Sequence, residues 1–350
     1  MKSLILGYGV TGKSFESYLK LQNKDFDIID PKIDNFEFSK ISEYSEIYIS
    51  PGINLRKTFP NKNIDNLNLI SDLDIFFQQD NSIKIGITGT NGKSTLCYHL
   101  YQLLNKESSC NLIGNIGNPV LDNINNGKKY SVIEISSFQL EKLKSNNLDY
   151  AYITNIQRDH IDFHDNFDDY KKIKLKIFDN CKNPINPNIE FISVGQIYKF
   201  ITGKEIIDNF QFKNLPYRLE KISQGIINDS KSTNTASLNY ALNTIKCSNL
   251  NLILHGNPNK EKYKKIIINS SVDKVFVYGS QKAEIAKKLD HENIEVFSNL
   301  EECIDKIFNE NNNPNILFSP GHPSQPDYIN FEERGKVFTK LIDKKINESR

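Results

Sequence analysis

The stretch 86–95, reading G-I-T-G-T-N-G-K-S-T at the end of an apolar run that begins at Ile83, constrains the fold more than any other part of the chain. An apolar run that meets a glycine-rich turn and continues into a helical pattern describes a buried strand followed by a helix, the repeating unit of a parallel α/β sheet. Such a loop turns backbone N–H groups inward to cradle phosphates, with a Lys for the terminal phosphate and a hydroxyl for Mg²⁺. The ordinary P-loop has four residues between its two glycines, but here only two separate Gly89 from Gly92, and Ile87 stands where the first glycine would fall. The loop is a variant of narrower family range, and it points to a nucleotide-driven enzyme.

At 350 residues the chain has room for two or three domains. Strands are expected at Ser3–Leu6, Phe26–Ile29 and Ile47–Ser50, with a helix over Thr11–Leu21 and a linker at Asp80-Asn81-Ser82. A second block follows, with strands from Ile83 and at Asn111–Ile113, Val132–Ile135 and Tyr150–Asn155. It carries a helix near Tyr170–Phe178 and ends after a Pro- and Asn-rich break at Cys181–Pro187. A third block alternates strands at Gly225–Ile227, Leu252–Leu254, Val275–Val277 and Ile316–Phe318 with helix-length segments. The expected division is therefore 1–80, 81–214 and 215–350, three successive α/β domains.

Composition excludes several classes. The 44 basic and 43 acidic residues leave a formal net charge of +1, so no global field favours nucleic acid or an anionic membrane. The opening M-K-S-L-I-L-G reaches glycine too soon for a signal-peptide core, and no 18-residue apolar stretch occurs. The five cysteines, Cys97, Cys110, Cys181, Cys247 and Cys303, are scattered and form no Cys-x-x-Cys pair. A reducing, cytoplasmic setting is expected, with no membrane insertion and no nucleic-acid partner.

Gly7, Gly9 and Gly12 spell Gly-x-Gly-x-x-Gly after the first strand, with Asp30 closing the second. Alone, that pattern fits NAD, another nucleotide diphosphate, or a tight turn. Glu134 leaves an apolar strand in the same block as the phosphate loop, where a carboxylate can hold Mg²⁺ directly or through water, although a strand end in solvent is the plain alternative. Asp159, His160, Asp162 and His164 cluster after the next strand in a pattern that is not a zinc signature. Lys174, one of several lysines on a helix, reads by itself as a solvated side chain.

Six ordered motifs, G-T-N-G-K-S-T (89–95), G-N-I-G (114–117), E-I-S-S-F-Q-L (134–140), T-N-I-Q-R-D-H-I-D (154–162), L-P-Y-R-L-E (215–220) and N-D-S-K-S-T-N (228–234), resemble the Mur ligases. These are ATP-dependent amino-acid ligases of peptidoglycan precursor synthesis. E-I-S-S-F-Q-L, H-G-N-P-N-K (255–260) and S-P-G-H-P-S-Q-P-D-Y-I-N-F-E-E-R-G (319–335) look specifically like the D-glutamate-adding member. The resemblance implies an N-terminal Rossmann-like domain for a UDP-linked substrate, a central P-loop ATPase-like domain and a C-terminal Rossmann-like domain for the amino acid. The implied substrates are ATP, UDP-N-acetylmuramoyl-L-alanine and D-glutamate, with two Mg²⁺ ions, and the implied state is a monomer.

Residue by residue, the resemblance places ATP on Gly89, Thr90, Asn91, Gly92, Lys93, Ser94 and Thr95, joined by Arg218, Asp229 and Lys231. Catalysis and metal binding fall to Lys93, Ser94, Glu134, His160 and a carbamylated Lys174. The UDP-substrate falls to Gly7, Gly9, Val10, Thr11, Gly12, Asp30 and Gly52, and its muramoyl-peptide to Asn115, Ser136, Ser137 and Gln139. D-Glutamate falls to Thr233, Lys260, Ser324 and Phe331.

Two departures stand out. The segment between Phe178 and Leu215 lacks the family's His-Asn…Asn pattern of the adenine pocket, leaving 195–200 or third-domain residues to that task, and His322-Pro323 replaces the small residues expected there. The competing readings are another ligase of the superfamily with a different amino acid or a folate substrate, a nicotinamide dehydrogenase, and a non-catalytic nucleotide-binding protein.

Overall fold

The computed structural model describes residues 2–31, 33–34, 36–41, 43–161, 163–207, 209–258 and 266–348. Two compact units divide the chain, Met1–Lys213 and Asn214–Arg350.

The first unit contains two parallel sheets. Strands β1 (Ser3–Leu6), β2 (Phe26–Ile29), β3 (Glu46–Ile49) and β4 (Leu69–Ile70) lie in the order β2-β1-β3-β4. Strands β5 (Ile83–Thr88), β6 (Cys110–Gly114), β7 (Tyr130–Glu134), β8 (Tyr150–Ile153) and β9 (Asn183–Pro184) lie in the order β6-β7-β5-β8-β9. The two-residue β9 forms within the Pro-rich break, at the sheet edge where a proline costs no ladder bond.

Period-two alternation sends the side chains of this second sheet into two cores. Ile85, Ile87 and Val132 pack on one face with Leu100 and Leu104 of the Lys93–Glu107 helix. Ile113, Ile133 and Ile135 face the other way, against Leu73, Phe76 and Phe77 of the helix Asp72–Gln79, in one core with Ile5 and Tyr48 of the first sheet and Phe15 of the helix Val10–Leu21. The first two expected blocks therefore share one apolar core. Their join is fastened too: Asp80 accepts the Asn125 N–H at 2.8 Å and the Ser82 N–H at 2.9 Å.

The glycines of the first loop have a packing reason. A Cβ on Gly12 would lie 2.2 Å from the Gly7 carbonyl oxygen, because the helix Val10–Leu21 rests directly on the turn. Only glycine allows that approach.

The second unit is built on strands β10 (Glu220–Ser223), β11 (Ile226–Asn228), β12 (Leu250–His255), β13 (Ile266–Ile267), β14 (Val272–Tyr278), β15 (Leu289–Asp290), β16 (Ile294–Phe297) and β17 (Asn315–Gly321). The main sheet runs β10-β11-β17-β12-β14-β16, and β13 pairs with β15. It is parallel except for β10, which joins β11 in an antiparallel hairpin turned at Gly225, φ +79°. Sequence alternation gave the start of β11 but no hairpin partner, because β10 is an edge strand without a buried run. The helix Phe331–Glu348 sets Phe338 and Ile342 against Phe276 and Phe318 of the sheet.

Candidate active site

Strand β5 runs between β7 and β8, and its carboxyl end is where ligands meet a sheet of this kind. Register places Glu134, the last residue of β7, beside Ile87, and Ile153, the last of β8, beside Thr88. The chain leaving β8 thus runs along the glycine loop and bonds to it. Thr90 N–H donates to the Asn155 carbonyl at 2.9 Å, and Asn91 N–H to Asn155 Oδ1 at 3.1 Å. Thr154 Oγ1 donates to the Asn91 carbonyl at 2.6 Å, joined there by Asn155 Nδ2 at 3.0 Å. Thr90 Oγ1 accepts the Gln157 N–H at 2.9 Å and stands 3.0 Å from the Tyr170 hydroxyl.

Gly89, at φ +146°, is pressed so closely on Thr154 that a Cβ would lie 1.9 Å from Oγ1. Gly92, at φ +81°, caps the Lys93–Glu107 helix without a side-chain bond to the helix N–H groups. Gly9 caps Val10–Leu21 in the same way, whereas Ser71, Ser136, Asn166 and Asn234 close their helices with side-chain oxygens. Both glycine loops leave first-turn N–H groups without a side-chain cap, the arrangement that binds phosphate. Lys93 Nζ is held over the loop by the Gly89 and Thr90 carbonyls, each at 2.9 Å.

Glu134 is 1% exposed; Asn115 Nδ2 donates to its Oε1 at 2.9 Å, while Oε2 is buried with no hydrogen-bond partner among the described residues. A buried carboxylate oxygen in that condition calls for a cation. Lys174 is also 1% exposed, its Nζ 3.2 Å from Thr88 Oγ1 and 4.9 Å from the centre of the Tyr170 ring. Burial first, and the Lys93 charge second, pull the Lys174 amine down to about 6, with Asp159 and Glu134 opposing. The solvated lysine expected from the bare sequence is instead a buried amine whose surroundings favour the uncharged form. His160, at φ +52°, packs its ring 4.8 Å from Phe138 and 3.6 Å from the Asp159 carboxylate. Among the described residues no group of three or more His, Cys, Asp or Glu is placed to hold a metal by itself. The fit is therefore to an ion that also takes phosphate, hydroxyl or carbamate oxygens. Asp162 lies outside the described residues.

Other sequence-selected residues already have internal bonds. Ser136 and Gln139 form a capping box on the helix Ser137–Lys142, and Gln139 also bonds the buried Asp72. Ser137 Oγ lies 2.9 Å from His164 Nε2. Asp30 accepts the Tyr8 N–H at 3.0 Å, bracing the first glycine loop, and Ser50 Oγ donates to the Gly7 carbonyl at 2.7 Å. Val10 is exposed, and Gly52 has open space around it.

In the second unit Thr233, Ser324 and Phe331 line one cavity of about 260 Å³ with Pro323, Gln325 and Asn330. Lys231 Nζ sits 3.6 Å from the centre of the Phe331 ring. Asp229 accepts Ser319 Oγ at 2.7 Å and the Leu219 N–H at 3.2 Å, and burial pushes its carboxyl up to about 6 against the pull of these bonds and Arg218. Lys260 lies outside the described residues.

Residues 87–195 match the Mur ligase middle domain. A UDP-N-acetylmuramoylalanine–D-glutamate ligase of Francisella philomiragia is 30% identical to this chain, over 97% of it and 96% of the relative. The chain belongs to the Mur ligase family. Two solved Mur ligases of Thermotoga maritima share its α/β fold. The UDP-N-acetylmuramate–alanine ligase has a TM-score of 0.58 at 14% identity, covering 98% of this chain and 99% of that one. The MurF ligase in complex with ADP has a TM-score of 0.57 at 14% identity, covering 98% and 95%.

As a Mur ligase, the chain contains bracing residues that motif reading did not single out. Thr154, Asn155, Gln157 and Tyr170 hold the phosphate loop, and the first three lie in a quoted motif. The available signal was the strand end: two neighbouring strands that finish together bring their following turns into contact. The stretch 195–200 lies in the helix Val194–Thr202, whose Ile197 and Tyr198 are buried in the core shared with the Lys93–Glu107 helix, while Phe200 is exposed.

Proposed function

We propose that this Mur ligase joins D-glutamate to UDP-N-acetylmuramoyl-L-alanine with ATP, through an acyl phosphate, in a reducing cytoplasm. The carrying observation is the unpartnered buried Glu134 Oε2 on the strand beside the phosphate loop, an arrangement suited to a metal–nucleotide complex. The choice of substrates rests on the near full-length likeness to the Francisella enzyme and on the cavity that gathers Thr233, Ser324 and Phe331. All five cysteines are free thiols, in keeping with that compartment. We assign the UDP-substrate to 1–80, ATP to 81–214 and the amino acid to 215–350.

In this reading the L-alanyl carboxylate attacks the γ-phosphorus of ATP; a P–O bond forms as the bond to ADP breaks. The D-glutamate amine attacks the activated carbonyl, and the tetrahedral intermediate expels phosphate to leave the amide. Lys93 lays its charge along the β- and γ-phosphates, and the loop N–H groups fix their position before reaction. Ser94, Glu134, His160 and carbamylated Lys174 would hold Mg²⁺, which neutralises phosphate charge when bound. Asn115 turns Glu134 by bonding its other oxygen. Of the remaining residues, we assign Arg218, Asp229 and Lys231 to the nucleotide and Thr233, Lys260, Ser324 and Phe331 to D-glutamate. The Gly7–Gly12 loop, with Asp30 and Gly52, takes the UDP group; Ser136, Ser137 and Gln139 shape the path of its peptide.

The deciding experiment supplies ATP, UDP-N-acetylmuramoyl-L-alanine and a panel of amino acids, and follows phosphate release and product mass. D-Glutamate alone should support turnover; dependence on L-glutamate, lysine or meso-diaminopimelate would overturn the substrate assignment.

Carbamylation of Lys174 has its own chemical support, since only an unprotonated amine adds CO₂. Protein equilibrated with ¹³C-bicarbonate should show one carbamate resonance that is missing from Lys174→Ala. Short carboxylates should restore part of the activity of that variant. A spectrum without the resonance, together with failed rescue, rejects the carbamate.

A further inference from the structure

The helix Phe331–Glu348 carries Arg334, which is 0% exposed and touches no carboxylate among the described residues. Burying a guanidinium is costly unless its donors find acceptors, and here each of its three nitrogens donates. Nε donates to Ser230 Oγ at 3.1 Å and Nη2 to the Ser230 carbonyl at 2.7 Å. Nη1 donates to the His322 carbonyl at 3.0 Å and to His255 Nδ1 at 3.2 Å.

Arginine can only donate, so His255 Nδ1 accepts and the imidazole proton must sit on Nε2. From there it is donated to Asp327 Oδ2 at 2.9 Å, which also accepts the Ser280 N–H at 2.9 Å. Burial, then the Arg334 charge, lower the His255 imidazole to about 4, so the ring is a neutral bridge from cation to carboxylate.

These partners have a common location. Ser230 lies three residues before Thr233, and its Oγ donates to the Phe331 carbonyl at 2.8 Å. His322 directly precedes Pro323 and Ser324, and Asp327 falls between Gln325 and Ile329. One buried side chain thus fastens both walls of the 260 Å³ cavity, the turn after β11 and the segment 323–331.

We propose that Arg334 is the positioning residue of the amino-acid cavity, fixing Thr233, Ser324 and Phe331 through Ser230, the His322 carbonyl and the His255–Asp327 bridge. It does not itself line the cavity. This rests on the reading of that cavity as the D-glutamate site. The substrate's two carboxylates need donors at set positions, so a wall that shifts weakens the grip on that substrate first.

The test compares Arg334→Lys with the parent. Lysine keeps the charge but cannot reach both Ser230 and His322 with a planar fork. The KM for D-glutamate should rise about tenfold, as expected for one or two lost charged hydrogen bonds, with kcat nearly unchanged and a smaller rise in the KM for ATP, because Ser230 stands between Asp229 and Lys231. A merely structural arginine would instead lower the amount of active enzyme, reducing apparent kcat and leaving that KM where it was. Should Arg334→Lys fail to fold, Asp327→Asn decides, since Asp327 is at the partly exposed end of the bridge. A smaller rise in the same KM supports the proposal, and an unchanged KM overturns it. Hydrogen exchange on the parent and the folded variant without any ligand separates this proposal from the substrate reading. Faster exchange confined to 230–233 and 322–331 supports positioning by Arg334 even if D-glutamate proves not to be the substrate; unaltered exchange there rejects it.

Discussion

Lys93→Ala should reduce ADP release and ligation on the order of a hundred- to a thousandfold, the usual cost of removing one preorganised charge from a transferring group. Lys93 Nζ is fixed by the Gly89 and Thr90 carbonyls, so its charge is in place before ATP arrives. No other described cation is hydrogen-bonded to the Gly89 and Thr90 carbonyls: the Lys174 amine is buried against Thr88 and Tyr170, and that burial favours its uncharged form. Binding of the UDP-substrate, measured by calorimetry, should survive, because the Gly7–Gly12 loop belongs to the other sheet of the first unit. Ligase activity retained in this variant would remove the loop from the mechanism.

Gly89→Ala should weaken ATP binding roughly a hundredfold, from the combined costs of a φ unfavourable to alanine and a steric clash. The new Cβ would meet Thr154 Oγ1 at 1.9 Å and the Asn155 carbonyl at 3.1 Å, both of them groups that tie the loop down. Thr154 would have to leave Asn91, and the loop N–H groups would lose their aim. Gly92→Ala is the contrast: its Cβ meets open space, so only the left-handed φ of +81° is penalised and the loss should be about fivefold. Nucleotide titration of both variants, and of Gly89→Ala/Thr154→Ala, separates the two causes. Equal losses in the two single variants, or no recovery in the double, would reject the clash as the origin.

Much of this chain was legible before any coordinates. The strands at Ser3–Leu6 and Phe26–Ile29 and the core of β5 to β8 follow from apolar runs that meet turn residues, and those signals are local. The order of the motifs was enough to name the family and to pick Thr233, Ser324 and Phe331, which meet around one cavity although 90 residues separate Thr233 from Ser324. The shared core of the first two sheets was not legible, since Phe76, Phe77 and Ile133 are simply apolar in sequence and nothing local says that they touch. Nor was the state of Lys174. One lysine among several on a helix differs from its neighbours only by the surface it is buried against.

The phosphate loop, the α/β class and the identity of the chemical groups were written in the sequence alone, because glycine spacing and strand-to-helix periodicity act over a few residues. Tertiary structure decided how those groups are held. The turn after β8 braces the loop after β5, Asn115 turns Glu134, and Arg334 fastens two walls drawn from opposite ends of its unit. Each of these depends on hydrogen bonds between residues far apart in the chain, whose geometry exists only once parallel strands have brought their carboxyl ends together.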